Sequence, residues 1–165
     1  MRRGVRLGVD AGTARIGVAR SDPEGLLAVP LETVHRRRGD RWGHLDRLLE
    51  LIAEYEAVEV LVGDPVALSG AHTASTEQAR RLARLLAERT RAAVRLVDER
   101  LTTVTAGRQL RELGRSASRS RDRIDRMAAV VLLQNALDAE RSTGQPPGTA
   151  VARRREDPGY AQHAE

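Results

Sequence analysis

Apolar positions along the chain change their period several times, and each change marks an element. Val5 to Val9 alternates Val, Leu and Val with Arg6 and Gly8, the two-residue period of a strand. Ile16 to Ala19 is a second short apolar run. Leu26 to Val34 is a third, and its Pro30 argues for an edge strand or a bulge. The links between them are short and rich in Gly, Asp and Pro, so the three runs are expected to form an antiparallel meander. The period then lengthens. Leu45, Leu48, Leu49 and Ile52 share one helical face, Val58 to Val62 returns to a strand pattern, and Thr76 to Arg89 is a helix with arginines on its polar side. Val94 to Val97 is a fifth strand, Thr103 to Leu113 a helix stopped by Gly114, and Asp122 to Glu140 a final helix rich in Ala and Leu.

The order βββαβαβαα predicts an α/β domain with a five-stranded mixed sheet, three antiparallel N-terminal strands and two further parallel strands, and helices on both faces. Helical crossovers make the first, fourth and fifth strands parallel neighbours. From Ser142 the composition turns to Gly, Pro, Gln and Arg. The expected organisation is one domain over residues 1–141 and a disordered tail over 142–165.

Carboxylates interrupt this pattern at three places, where strands end or a helix begins. Asp10 closes the first strand in RLGVDAGTARIGVARSD, Asp98 and Glu99 close the fifth in VRLVDERLTT, and Asp125 falls in the first turns of DRIDRMAAVVLLQNALD. Ligands gather at the carboxyl ends of parallel strands. Acids clustered there repel one another unless a cation sits among them, and oxygen-only donors favour Mg2+ or Mn2+. Each acid also has a plainer reading. Asp10 can cap a turn, Glu99 can pair with Arg95 or Arg100, Asp98 can cap the following helix, and Asp122 with Asp125 can form a capping box. Asp125 fits the last reading less well than Asp122, because it shares a face with Ala128, Ala129 and Leu132, where an acid needs a partner. Asp64, in VGDPVALSG, reads as a turn residue before Pro65. His35, His44, His72 and His163 have no metal-ligand spacing.

Composition narrows the partner. The net charge is +5, all 28 basic side chains are Arg, and aromatics are reduced to Trp42, Tyr55 and Tyr160. The core must be aliphatic, and stacking of bases on aromatic rings is disfavoured. Arginine forks match phosphate oxygens. Seven of them (108, 111, 115, 119, 121, 123 and 126) face only three acids in the stretch beside Asp125, which suggests a phosphate track, whereas the run Arg36–Arg38 reads as a solvated face. There is no Cys, so neither a disulfide framework nor a thiolate metal site is possible. No apolar run approaches the roughly 20 residues of a membrane span, and the reading is a cytoplasmic protein with no membrane partner.

Four segments, GVDAGTARIGVARSD, VEVLVGDPVALSG, VRLVDERLTTVTA and IDRMAAVVLLQNALD, occur in the order found in the YqgF/RuvX family, and the chain resembles that family over roughly residues 5 to 138. The resemblance implies an RNase H-like fold, a metal-dependent endonuclease related to Holliday junction resolvases, and action on pre-16S rRNA. It places the family's three acids on Asp10, Glu99 and Asp125 as catalytic and metal-binding residues. Substrate-binding or site-shaping roles are expected for Arg15, Arg100, Thr102 and Thr103, and backbone positioning for Arg115, Arg119, Arg121 and Arg123. Asp64 stands where the family commonly has an apolar residue, and Ile124 where a basic residue often precedes the last aspartate.

Three functions compete. A nuclease would act on structured RNA or branched DNA, as a monomer or homodimer. A phosphotransferase of the actin or sugar-kinase kind would share DAGT but needs two domains and a second phosphate loop. A nucleic-acid-binding scaffold would keep the acids with weak or lost catalysis.

Overall fold

The structure, a computed structural model, describes residues 2–65, 73–99 and 118–153, with the backbone alone at 118–120. Three strands, β1 (Arg6–Ala11), β2 (Arg15–Ser21) and β3 (Ala28–His35), precede α1 (Gly43–Glu54), β4 (Glu59–Asp64), α2 (Ala74–Arg89) and β5 (Ala93–Asp98). The helix α3 (Ser118–Thr143) and a two-residue strand β6 (Thr149–Ala150) follow. The sheet order is β3-β2-β1-β4-β5-β6. The meander is antiparallel and β1, β4 and β5 are parallel neighbours, as the pattern predicts.

Alternation along the strands sorts their side chains into two cores. Leu7, Val9, Ile16, Val18, Val60, Val62 and Val94 pack with Leu45, Leu48, Leu82 and Leu86 of α1 and α2. Ala19, Leu61 and Val97 point the other way, onto Ala129, Leu132, Leu133, Ala136 and Leu137 of α3. A chain without Phe builds both layers mostly from aliphatic groups, with Trp42 buried in the first, and burial is worth about 1.5–3 kcal/mol per large side chain. Thr73 and Thr76 close a reciprocal capping box that starts α2.

Pro30 lies on the edge strand, and the β2–β3 register slips beside it. Ala19 pairs with Pro30 but Val18 pairs with Glu32, so Leu31 is the extra residue of a bulge. The slip turns Glu32 toward Arg47 of α1 and leaves Thr33 and His35 facing α3.

Two expectations change. Among the described residues the sheet has six strands: β6 runs antiparallel to β5 through Leu96↔Thr149 and Arg95↔Ala150, and Arg95 donates to the carbonyls of Pro147 and Gly148. The expected tail from residue 142 therefore returns to the sheet at 149–150, and α3 itself runs to Thr143. At its other end α3 begins at Ser118, a turn before the expected Asp122. The expected helix over 103–113 lies outside the described residues.

The N-terminal end of the parallel strands carries a buried ion cluster. Arg2 bonds both Glu59 and Glu140, at 2.9 and 2.8 Å, and those carboxylates are only 1% and 5% exposed. Arg6, fully buried, donates to the carbonyls of Gly4 and Arg2.

The opposite end is set by one close approach. A Cβ placed on Gly17 would lie 1.9 Å from the backbone oxygen of Asp125, so α3 rests directly on β2 there. Gly17→Ala is expected to push the first turns of α3 off the sheet at a cost of about 2–3 kcal/mol, read as a lower urea midpoint with an unchanged slope.

Candidate active site

Register decides which acids can meet. On β1, Gly8 and Asp10 face α3, whereas Leu7 and Val9 face α1 and α2. Asp10 is the cross-strand partner of Gly17, the residue on which the Asp125 backbone rests. One pairing thus brings the end of β1 and the start of α3 together. On β5, Val97 faces α3, and Glu99, two residues on, keeps that side. Its Oε1 lies 2.4 Å from where a Cβ of Gly63 would be, so the bare backbone at the end of β4 leaves the space that the Glu99 carboxylate fills.

The carboxyl groups of Asp10 and Glu99 lie close enough for a hydrogen bond between them. Such a bond needs a proton. Burial pushes Asp10 above the usual carboxylate range; the bond from Glu99 opposes that shift and the charge of Asp125 adds to it. Glu99 is pushed up to about 9, first by burial, then by its bond to Asp10 and by the charges of Asp10, Asp64 and Asp98. Two acids that share one proton at neutral pH make a site short of positive charge.

Asp125 is close enough to act on Asp10 through its charge, but its carboxylate is held by Arg15, with Nε 2.7 Å from Oδ2. Among the described residues no group of three or more His, Asp or Glu side chains converges on a single point. The structure therefore brings Asp10 and Glu99 into contact and keeps Asp125 beside them, turned to an arginine. The donor set suits a hard divalent cation, since every donor is a carboxylate oxygen and the closest pair lacks compensating charge. Asp125 can offer such an ion its Oδ1 while Oδ2 stays with Arg15, or both oxygens on leaving it.

The neighbouring acids separate cleanly. Asp64 is buried on the opposite face of the sheet, paired at 2.9 Å with Arg80 of α2, so it is not a surface turn residue, and it acts on Glu99 through its charge. Asp98 is the cross-strand partner of Asp64 and shares that face. Asp122 does not cap α3, which starts at Ser118. Its carboxylate lies 3.3 Å from Nε2 of His35, and its carbonyl accepts from Thr33. Arg121 and Arg123 are exposed on the early turns of α3. Arg100, Thr102, Thr103 and Arg115, with the side chain of Arg119, lie outside the described residues, as does His72.

Two contributors were not singled out for these parts in the sequence. Gly63 clears space for Glu99, and the signal was a glycine near the end of a buried strand, EVLVGD. Arg15 neutralises Asp125 across 110 residues, a contact that no local pattern announces.

With this geometry in place, comparison with other proteins is informative. A model of the family described as "RuvX: Holliday junction resolvase" matches residues 4–139. A protein of Clavibacter sepedonicus, named "Putative pre-16S rRNA nuclease", is 54% identical over 160 residues, covering 96% of this chain and 98% of its own. One of the same name from Thermobifida fusca is 55% identical over 159 residues, covering 92% and 98%. Among solved structures, T. thermophilus RuvC in complex with Holliday junction substrate superposes with a TM-score of 0.60 at 13% identity, covering 90% of this chain and 99% of the other. That last likeness is one of fold.

The raised Glu99 has a consequence for stability. A carboxyl whose pKa is higher in the folded than in the unfolded chain favours the fold at low pH, and that contribution drains away as pH rises from 4.5 toward about 9. Glu99→Gln removes the loss. It is expected to be neutral below pH 4.5 and to stabilise the metal-free protein by about 2 kcal/mol at pH 7, with a further gain toward pH 9, measured by denaturant unfolding in EDTA.

Proposed function

Because the chain belongs to the RuvX family, whose model spans residues 4–139, we propose that it is a metal-dependent endonuclease that hydrolyses phosphodiester bonds in the cytoplasm, in 5′-end processing of pre-16S rRNA. The observation that carries this reading is the proton-sharing pair Asp10–Glu99, held beside Asp125 at the carboxyl ends of β1 and β5. The names of relatives more than 50% identical over nearly their full length support rRNA as the substrate.

Asp10, Glu99 and Asp125 are the residues that would hold Mg2+ or Mn2+. A bound divalent ion supplies a water of lowered pKa and a positive charge for the scissile phosphate. The protein's own contribution is placement. The strands fix Asp10 and Glu99, Gly63 leaves room for the carboxylate of Glu99, and α3 delivers Asp125. Arg15 neutralises Asp125 until that carboxylate is needed, and its guanidinium can then take a phosphate oxygen in exchange. Arg121 and Arg123, exposed beside the site, would hold the substrate backbone without reading bases.

A second reading, resolution of four-way DNA junctions, is favoured by the description of the matching family. Side-by-side cleavage of an rRNA precursor and a junction DNA separates the two. Under the first reading the RNA is cut and the junction is not. Asp10→Asn is expected to abolish cleavage of either by well over the roughly 10–100-fold that loss of a mere supporting group costs. Equal cleavage by parent and variant would remove the acids from the mechanism.

Metal binding should also release a proton, because Glu99 holds one until pH approaches about 9. Mn2+ affinity is therefore expected to rise by up to about tenfold per pH unit between pH 6 and 8, and titration calorimetry in two buffers of different ionisation heat counts the proton released.

A further inference from the structure

The run Arg36–Arg38 reads as a solvated face in the sequence, but Arg36 does not behave as one. Its backbone N–H donates to the carbonyl of Ala14 at 2.9 Å and its Nε to the carbonyl of Gly12 at 3.0 Å, so the side chain lies under the β1–β2 turn. Nη1 is 3.3 Å from Nε2 of His44, in the first turn of α1. Nη2 is buried with no hydrogen-bond partner, and so is Nδ1 of His44. No carboxylate is paired with Arg36 among the described residues, and burial alone moves its pKa, downward. His44 is pushed down to about 4, by burial first and then by Arg36, so the imidazole is neutral and one of its nitrogens carries the hydrogen. With Nε2 accepting from Arg36, that hydrogen sits on Nδ1. The result is a half-buried guanidinium with one donor nitrogen, Nη2, unmet, beside a second unmet N–H at His44 Nδ1.

Among the described residues the buried carboxylates away from the acid site are compensated. Glu59 and Glu140 have Arg2, and Asp64 has Arg80. Two adjacent unmet N–H groups, one of them on a cation, favour an anion as the partner that would satisfy both. Their place identifies the anion. Gly12 is two residues beyond Asp10, about 7 Å along extended chain, and the acids lie on the α3 side of the same turn. Exposed Arg37, Arg38 and Arg41 continue the positive surface outward against the single Asp40.

We infer that Arg36, assisted by His44, binds a backbone phosphate of the nucleic acid, one or two nucleotides from the scissile bond and across the β1–β2 turn from the acids. The inference rests on the nuclease reading for its ligand, and it adds a binding residue to that site. The contact carries charge and no base specificity.

The test is binding of a labelled rRNA-precursor oligonucleotide in Ca2+ across a salt series, with Arg36→Gln compared against Arg91→Gln, an equal loss of charge at the far end of the sheet. Arg36→Gln is expected to weaken binding about tenfold and to flatten the salt slope by about 0.7–0.9; Arg91→Gln should leave both near the parent. Equal slopes for parent and Arg36→Gln overturn the inference. If Arg36→Gln does not fold, the parent decides: titration with dimethyl phosphate should move the imidazole NMR signals of His44 and not those of His35, and no movement overturns it. Cleavage assays keep the two readings apart. Intact cleavage with an unchanged slope refutes the phosphate contact and leaves the nuclease standing. Absent cleavage with a flattened slope refutes the nuclease and leaves the contact.

Discussion

Backbone geometry in this protein forces acids together against their own repulsion. Asp10 is fixed by pairing with Gly17, Glu99 by its place two residues beyond Val97, and Asp125 by the seat of α3 on Gly17. None of these positions is chosen by the carboxylates. Main-chain hydrogen bonds and two aliphatic cores hold the frame, and the charges must accept it. Sharing a proton is how Asp10 and Glu99 do so without a cation.

The opposite end of the same sheet face shows that this arrangement is not a general habit of the fold. Glu59 and Glu140 are more deeply buried than the acids of the site, yet Arg2 bonds both and Arg6 lies beside them. Burial alone would raise Glu140, but its bonds to Arg2 outweigh that and hold it low. Asp10 and Glu99 move the other way. One end is built for stability, with charges matched inside the protein, whereas the other holds a pair of acids pushed upward by burial. Sites of this kind trade stability for function.

Much of this was legible in the chain because strands and helices have fixed periods. Alternation in β1 and β5 was enough to mark Asp10 and Glu99 as acids ending buried strands, and the order of elements gave the parallel core of the sheet. Other features failed for physical reasons. The last helix begins among Ser and Arg, where no apolar stripe marks its first turn, so Asp122 looked like a cap. A two-residue strand such as β6 is too short to have a period. Asp64 and Glu99 both follow strands, and only the register shows that they face opposite sides of the sheet. The role of Gly63 depends on a side chain from another strand, which one-dimensional pattern cannot supply.

The β1–β2 turn gathers these threads. It follows Asp10, it is closed by Gly12 N–H to the carbonyl of Arg15, and its outer strand supplies the arginine that holds Asp125. On its other side Arg36 grips it through the carbonyls of Gly12 and Ala14. A phosphodiester strand lying over this turn would meet carboxylates on one side and a guanidinium on the other. The negative side repels the strand unless a cation is bound there, and the positive side attracts it regardless. On the proposed nuclease reading, that asymmetry would let the arginines hold the backbone before the acids, which would act with a divalent ion in place of their shared proton.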